Sequence, residues 1–452
     1  YTNQGINSVS IGYQSGMSNQ GAYSVALGHL SGNSGQGTTS VSIGPNSGQN
    51  NQSTQSVAVG YLSAQNNQGA NSIAVGISSA QINQGTNSVS IGNSAGYTNQ
   101  GVNSVSIGYL SGQGTQGNDS VAIGSFAGQN SQQQYSIAIG RNSGSSGQQS
   151  LSIALGFSAG QTLQGTSSIA IGNLSGSSTQ GVNSVSIGTS AGQISQNSSS
   201  VSIGDTAGQT QQGTGSIAIG KNAGQGFQGL KSIAIGFTAG QVSQSTDTIA
   251  IGDTAGQNSQ GIGSVAIGYA SGQTLQGSNS VSIGYSAGAG TQSSNSIAIG
   301  YQAGFGLQNI YTTAIGYQAG MTNQGSGAIS LGYLAGQNTQ GTFGIAIGGE
   351  AGRYSQSNYT IAIGSQAGMT NQSSSAVSIG TLAGSLQQGT NSIAIGSSAG
   401  AVSQQTNSIA IGSNSGEEKQ NSNSIAIGYA TGQSLQGTGS IALGKYAGQG
   451  TQ

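Results

Sequence analysis

The chain has 452 residues, with six Lys or Arg, seven Asp or Glu, a formal net charge of −1 and 84 Gly. Such near-neutrality excludes the clustered cations that nucleic acid or an anionic membrane surface requires. The absence of Cys excludes disulfides and thiolate chemistry, and no apolar run approaches the roughly 18 residues of a membrane helix. No membrane insertion is expected in this segment.

A sixteen-residue unit runs through the chain without insertion or deletion, from Val9-Ser-Ile-Gly to Ile441-Ala-Leu-Gly, in 28 copies. This periodicity overrules the disorder that so much Gly, Ser and Gln would otherwise imply. Taking the first aliphatic as place one, that place is Val or Ile in 27 copies, with Thr313 the exception. Place two is Ala in 19 copies and Ser in 9, and place three is always Ile, Val or Leu. β-Branched residues alternating with small ones predict a short strand. Place four is Gly in every copy, from Gly12 to Gly444, and closes that strand at a corner. A variable pair, Ala or Ser at place seven and usually Gly at place eight form the next turn. A second short strand is expected around places nine to twelve.

Place twelve is Gln throughout, from Gln4 to Gln452. Gln212, Gln228, Gln244 and Gln260 are the structural Gln ladder in the middle of the chain, each amide expected to donate to the next as in a cross-β stack. The fold predicted is all-β: a parallel β-solenoid, or β-roll, of 28 coils with two short strands each. At about 4.8 Å per coil this would make a rod of roughly 130 Å. A single continuous solenoid over residues 1–452 is expected, as a segment of a longer repetitive protein. The chain starts at place nine and stops at place twelve, with no atypical capping repeat at either end.

All 13 charged residues fall in places five, six, nine, ten, eleven and fifteen, which therefore face water or lie at corners. In neighbouring coils of one ladder the signs oppose, as with Asp205 and Lys221 or Lys231 and Asp247. The strand itself never carries a charge or an aromatic on either face, so both faces are expected to be covered. Two arrangements satisfy this. The aliphatic ladders fill the interior and the Ala/Ser stripe packs against a partner, or the reverse. In the first, Ala218, Ala234, Ala250 and Ala266 belong to the assembly stripe.

The phrases Asn-Ser-Val-Ser-Ile-Gly at residues 7–12 and Asn-Ser-Ile-Ala-Ile-Gly at 391–396, followed by small residues such as Ala399 and Gly400, resemble the YadA-like head repeats of trimeric autotransporter adhesins. Similar repeats occur in viral and phage fibre proteins. The resemblance implies a trimer of β-rolls on a cell surface that binds extracellular partners. This chain departs from that pattern in its slightly longer unit, its fixed Gln and the lack of a visible coiled-coil stalk, neck or membrane anchor.

Catalysis finds no support, and no cofactor is expected. His29 is the only histidine and occupies variable place five, while Glu417, Glu418 and Lys419 form the only charge cluster and read as a solvated turn. Place five is Tyr in nine copies, five of them consecutive: Tyr269, Tyr285, Tyr301, Tyr317 and Tyr333. Stacked exposed aromatics make a candidate adhesive ladder for a glycan, a protein or a neighbouring filament. Together these features predict a structural or adhesive extracellular fibre, at a cell or virion surface, that assembles laterally as a homo-oligomer or filament. An ice-binding solenoid and a viral or phage tail fibre are the alternatives.

Overall fold

The computed structural model describes residues 2–450; Gln452 of the Gln ladder lies outside them. The chain divides into two compact units, Tyr1–Phe227 and Gln228–Gln452. Each is a parallel β-solenoid, and the described residues contain no helix.

In the first unit, places one to three form strands such as Val25–Leu27, paired in parallel with Val41–Ile43 so that Val25 meets Val41 and Ala26 meets Ser42. The second unit repeats the arrangement, with Ile297–Ile299 paired to Thr313–Ile315. Partners are one sequence repeat apart, so each copy is one coil. The Val25 amide donates to the Ser40 carbonyl at 2.9 Å, and the Gly44 amide donates to the Leu27 carbonyl at 2.8 Å.

The second strand occupies places ten to twelve, as in Ser18–Gln20 and Thr370–Gln372, narrower than the expected nine to twelve. Elsewhere it shrinks to two residues, as in Leu307–Gln308, or to a single bridge such as Gln324 to Gln340. In the three-residue strands place eleven takes positive φ, as at Asn67 (57°) and Asn371 (53°), and drops out of the register, whereas the two-residue strands pair through place eleven itself, as Leu307 does with Thr291. Positive φ removes a residue from the ladder geometry.

Corners explain two fixed features of the repeat. Place-four Gly has φ near +130°, and a Cβ on Gly316 would lie 2.4 Å from the Gly332 carbonyl oxygen of the next coil. Place fifteen lies in the left-handed region at Asn87, Asn103, Asn391 and Asn407, with φ of 55–58°. Asn tolerates that region better than most residues, which accounts for the recurring Asn-Ser before the strand.

The interior is thin and made of small or polar side chains. Ala26, Ala58, Ala218 and Ala234 at place two, Ala95 and Ala127 at place seven, and Ser24 and Ser40 at place sixteen have no exposed surface. The largest fully buried side chains are all the place-twelve Gln. Places one and three instead point outward and stay half-exposed or exposed.

Gly316→Ala is expected to destabilise its unit by at least about 2 kcal/mol through φ strain and overpacking. Gly349→Ala, with no atom within 4 Å of the added methyl, is expected to be near neutral. Urea unfolding of the two variants checks the contrast, and equal midpoints would refute it.

Candidate functional site

Place twelve is reached by the second strand, which aims each Gln across the coil toward the first strand. The side-chain Nε2 donates to the place-one carbonyl of the same copy, eleven residues earlier: Gln52 to Val41 at 2.9 Å, Gln212 to Val201 at 2.8 Å, Gln260 to Ile249 at 3.0 Å. In many coils the same Nε2 lies near the place-sixteen carbonyl, as with Gln228 and Ser232 at 3.2 Å. Bonds from one Gln to the next also form, from Gln244 to Gln260 at 2.8 Å and from Gln260 to Gln276 at 3.0 Å. The ladder expected from sequence is therefore present, but its recurring bond closes a coil on itself. Coil-to-coil amide bonds are an addition in some rungs.

Place two decides how the other end of that amide is satisfied. Where place two is Ser, its hydroxyl donates to Gln Oε1 ten residues on, as from Ser42 to Gln52, Ser106 to Gln116 and Ser330 to Gln340, each at 2.6 Å; Ser10 is the exception, donating to the Ser15 carbonyl and leaving Gln20 Oε1 unpaired. Where place two is Ala, Oε1 either accepts from a neighbouring Gln or stays unpaired, as at Gln68, Gln84 and Gln148. Place eight is coupled to the same choice. A Cβ on Gly96 would lie 2.3 Å from the Ser90 hydroxyl, whereas Ala64 and Ala80 at place eight occur in the coils of Ala58 and Ala74. Composition by place contained this coupling; reading each place by itself missed it.

The Ala/Ser stripe is not an assembly surface. Ala218, Ala234, Ala250 and Ala266 are fully buried inside the coil, because the space opposite them is filled by Gln and by place-eight Gly. A Cβ on Gly272, for example, would already lie 2.8 Å from Gln276 Oε1 and 3.3 Å from the Ala266 methyl. An Ile would not fit there. Of the two arrangements open to the sequence, the one with aliphatics outside is realised. Ile43, Ile283, Leu331, Ile363, Ile379 and Ile395 at place three expose 36–42% of their surface.

The five Tyr of the candidate ladder follow place three of their coils by two residues and are 42–55% exposed. Successive ring centroids are 5.0–5.4 Å apart with interplanar angles of 6–20°. Each inner ring is thus flanked on both faces by its neighbours and offers mainly its edge to solvent. His29 stacks on Tyr13 at 5.4 Å, also in the place-five ladder. Asp205 and Lys221, and Lys231 and Asp247, form no ion pair among the described residues; Arg353 pairs with Glu350 at 3.3 Å within one turn. A recess of about 620 Å³ along places eleven to fourteen is lined by Asn99, Gln116, Asn118 and Gln133. Its lining is of amides with the hydroxyls of Thr115, Ser131 and Ser150, and carries no charged side chain.

Residues 388–415 match the YadA head domain repeat, in two copies. The matched YadA-like stretch runs from Gln388 at place twelve through Asn391-Ser-Ile-Ala-Ile-Gly and Asn407-Ser-Ile-Ala-Ile-Gly. It contains the place-fifteen turn, the first strand and the corner Gly whose roles are described above. No curated protein sequence matches the chain. The family match covers residues 388–415, a small part of the 452-residue chain, and bears on the repeat unit. No helix of the described residues is long and apolar enough to cross a membrane.

Ala138→Ser gives Gln148 Oε1 its missing donor in a coil whose place eight is Gly144. It is expected to stabilise by about 1 kcal/mol. Ala74→Ser, facing the Ala80 methyl, is expected to destabilise despite the same unpaired Gln84 acceptor. Denaturant midpoints moving in the same direction would refute this coupling.

Proposed function

We propose that the chain is a segment of an extracellular, adhesin-like fibre whose outward aliphatic ladders are covered by further copies of the same chain. The observation that carries this reading is the orientation of the first strand. Val or Ile at place one and Ile, Leu or Val at place three recur on an outer face in both units, with no charge among them. A side chain left half-exposed forgoes about 1 kcal/mol of burial, and a contiguous stripe of such residues marks an interaction surface. Selection for solubility alone would place Lys, Gln or Glu at these positions in some copies, yet the one polar residue among them is Thr313.

A second copy is the natural cover. It carries the same stripe at the same axial spacing, so every rung finds an equivalent rung. The YadA-like repeat supports a homo-oligomer, because the adhesins that carry it are trimers displayed on cell surfaces. Surface display, at a cell or a virion, accords with the neutral composition and with a fold that presents long repeated ladders and no catalytic constellation. A surface glycan or protein is the ligand class for such a fibre. The role is structural and adhesive, not enzymatic.

Ile363→Asp combined with Ile379→Lys places opposite charges in adjacent rungs of the outer face, which avoids like-charge stacking along the axis. Sedimentation is expected to show oligomers of the native chain and a shift to monomer in the double variant. Its β-rich circular dichroism is expected to be retained, since both side chains point to solvent. An unchanged oligomeric state in the variant, or a monomeric native chain, would overturn lateral assembly through this face.

A further inference from the structure

The outer face poses a problem of register. Its place-one and place-three ladders repeat every rung, so two copies shifted by one coil bury nearly the same aliphatic surface. A uniform stripe therefore holds copies together without fixing their axial alignment, as in any weakly specified strand pairing. Place five borders that stripe and is the ladder that varies.

In the second unit place five reads Phe237, Asp253, then Tyr269, Tyr285, Tyr301, Tyr317 and Tyr333, then Gly349, Ser365, Thr381 and Ser397. The Tyr block is thus bounded by an exposed carboxylate on one side and a residue without a side chain on the other. Its rings form one continuous stack with centroids 5.0–5.4 Å apart, and half-exposed Val265, Ile267, Ile297 and Ile299 belong to coils of the same block. Five rings about half exposed present roughly 500 Å² of aromatic surface. Added to the neighbouring aliphatics, this approaches the roughly 800 Å² that each partner contributes to a stable interface.

We infer that the Tyr269–Tyr333 ladder sets the axial register between laterally associated copies of this chain, a role that rests on the lateral assembly proposed above. Its partner is a second copy. Only a partner with the same rise per coil can meet five consecutive ring edges equivalently, because a different spacing would fall out of step within the block. A slip of one coil costs contacts at both ends. At one end the rung of Tyr269 then meets the rung of Asp253, and a ring-edge contact is lost. At the other end a Tyr meets the rung of Gly349 and loses its apolar contact. The aliphatic ladders supply association, and the aromatic block chooses one alignment among the many they allow.

The chain contains no Cys, so Ser397→Cys at exposed place five accepts a single spin label outside the block. Intermolecular distances are measured by pulsed electron–electron resonance in the assembled full chain, with and without the fivefold Tyr→Ser replacement at 269, 285, 301, 317 and 333. The native block is expected to give one narrow distance distribution. The fivefold variant is expected to stay assembled but spread over components displaced by single rungs of about 4.8 Å. A distribution equally narrow in both chains would overturn the register role. Dissociation of the fivefold variant would also overturn it, because the ladder would then be the association surface itself. A monomeric native chain would instead sink the assembly reading first, an outcome read directly from sedimentation of the labelled sample.

Discussion

The hydrogen bond from place-twelve Gln to the place-one carbonyl of its own copy governs the rest of the coil. It spans the interior from the second strand to the first, and so fixes how far apart the two sides stand. A gap bridged by one Gln side chain leaves room only for Ala or Ser at places two and seven and for Gly at place eight. A solenoid with Ile inside would need wider coils and would lose this amide bridge.

From that width follows the orientation of the strand. Alternation sends places one and three to the side opposite place two, so a small interior forces the aliphatics outward. The molecule thereby concentrates its apolar surface on an outer face, while its core is held by amides, hydroxyls and methyl groups. Stability of such a core rests on satisfied polar groups more than on buried area. Ser at place two strengthens it by pairing with Gln Oε1, and requires Gly six residues later to make space. Ala at place two relaxes both demands, which is why Ala64 and Ala80 are tolerated at place eight.

The outer surface has two levels of information. Aliphatic ladders repeat with one exception, Thr313, and carry affinity in the proposed assembly. Place five varies from coil to coil, through Tyr, Asp, Lys, Phe and Gly, and distinguishes one rung from another. Stacking of the Tyr block covers the inner ring faces, so its exposed chemistry is that of edges. This differs from the isolated aromatic platforms on which sugars commonly stack, and favours a partner that addresses the whole block at once.

The sixteen-residue period by itself determined the parallel solenoid, its coil length, its first strand and the corner at place four, because only stacked coils require fixed Gly and Gln at fixed spacing. The Tyr ladder was legible too, since in-register stacking follows from Tyr recurring every sixteen residues. The interior side of the strand was not legible. Alternation is symmetric, and Ile-Ala-Ile reads equally well with either face inward. Only the folded coil decided it, through the reach of one Gln across the core and the close approach of place-eight Gly, which together leave Ala218, Ala234, Ala250 and Ala266 inside and the isoleucines facing out.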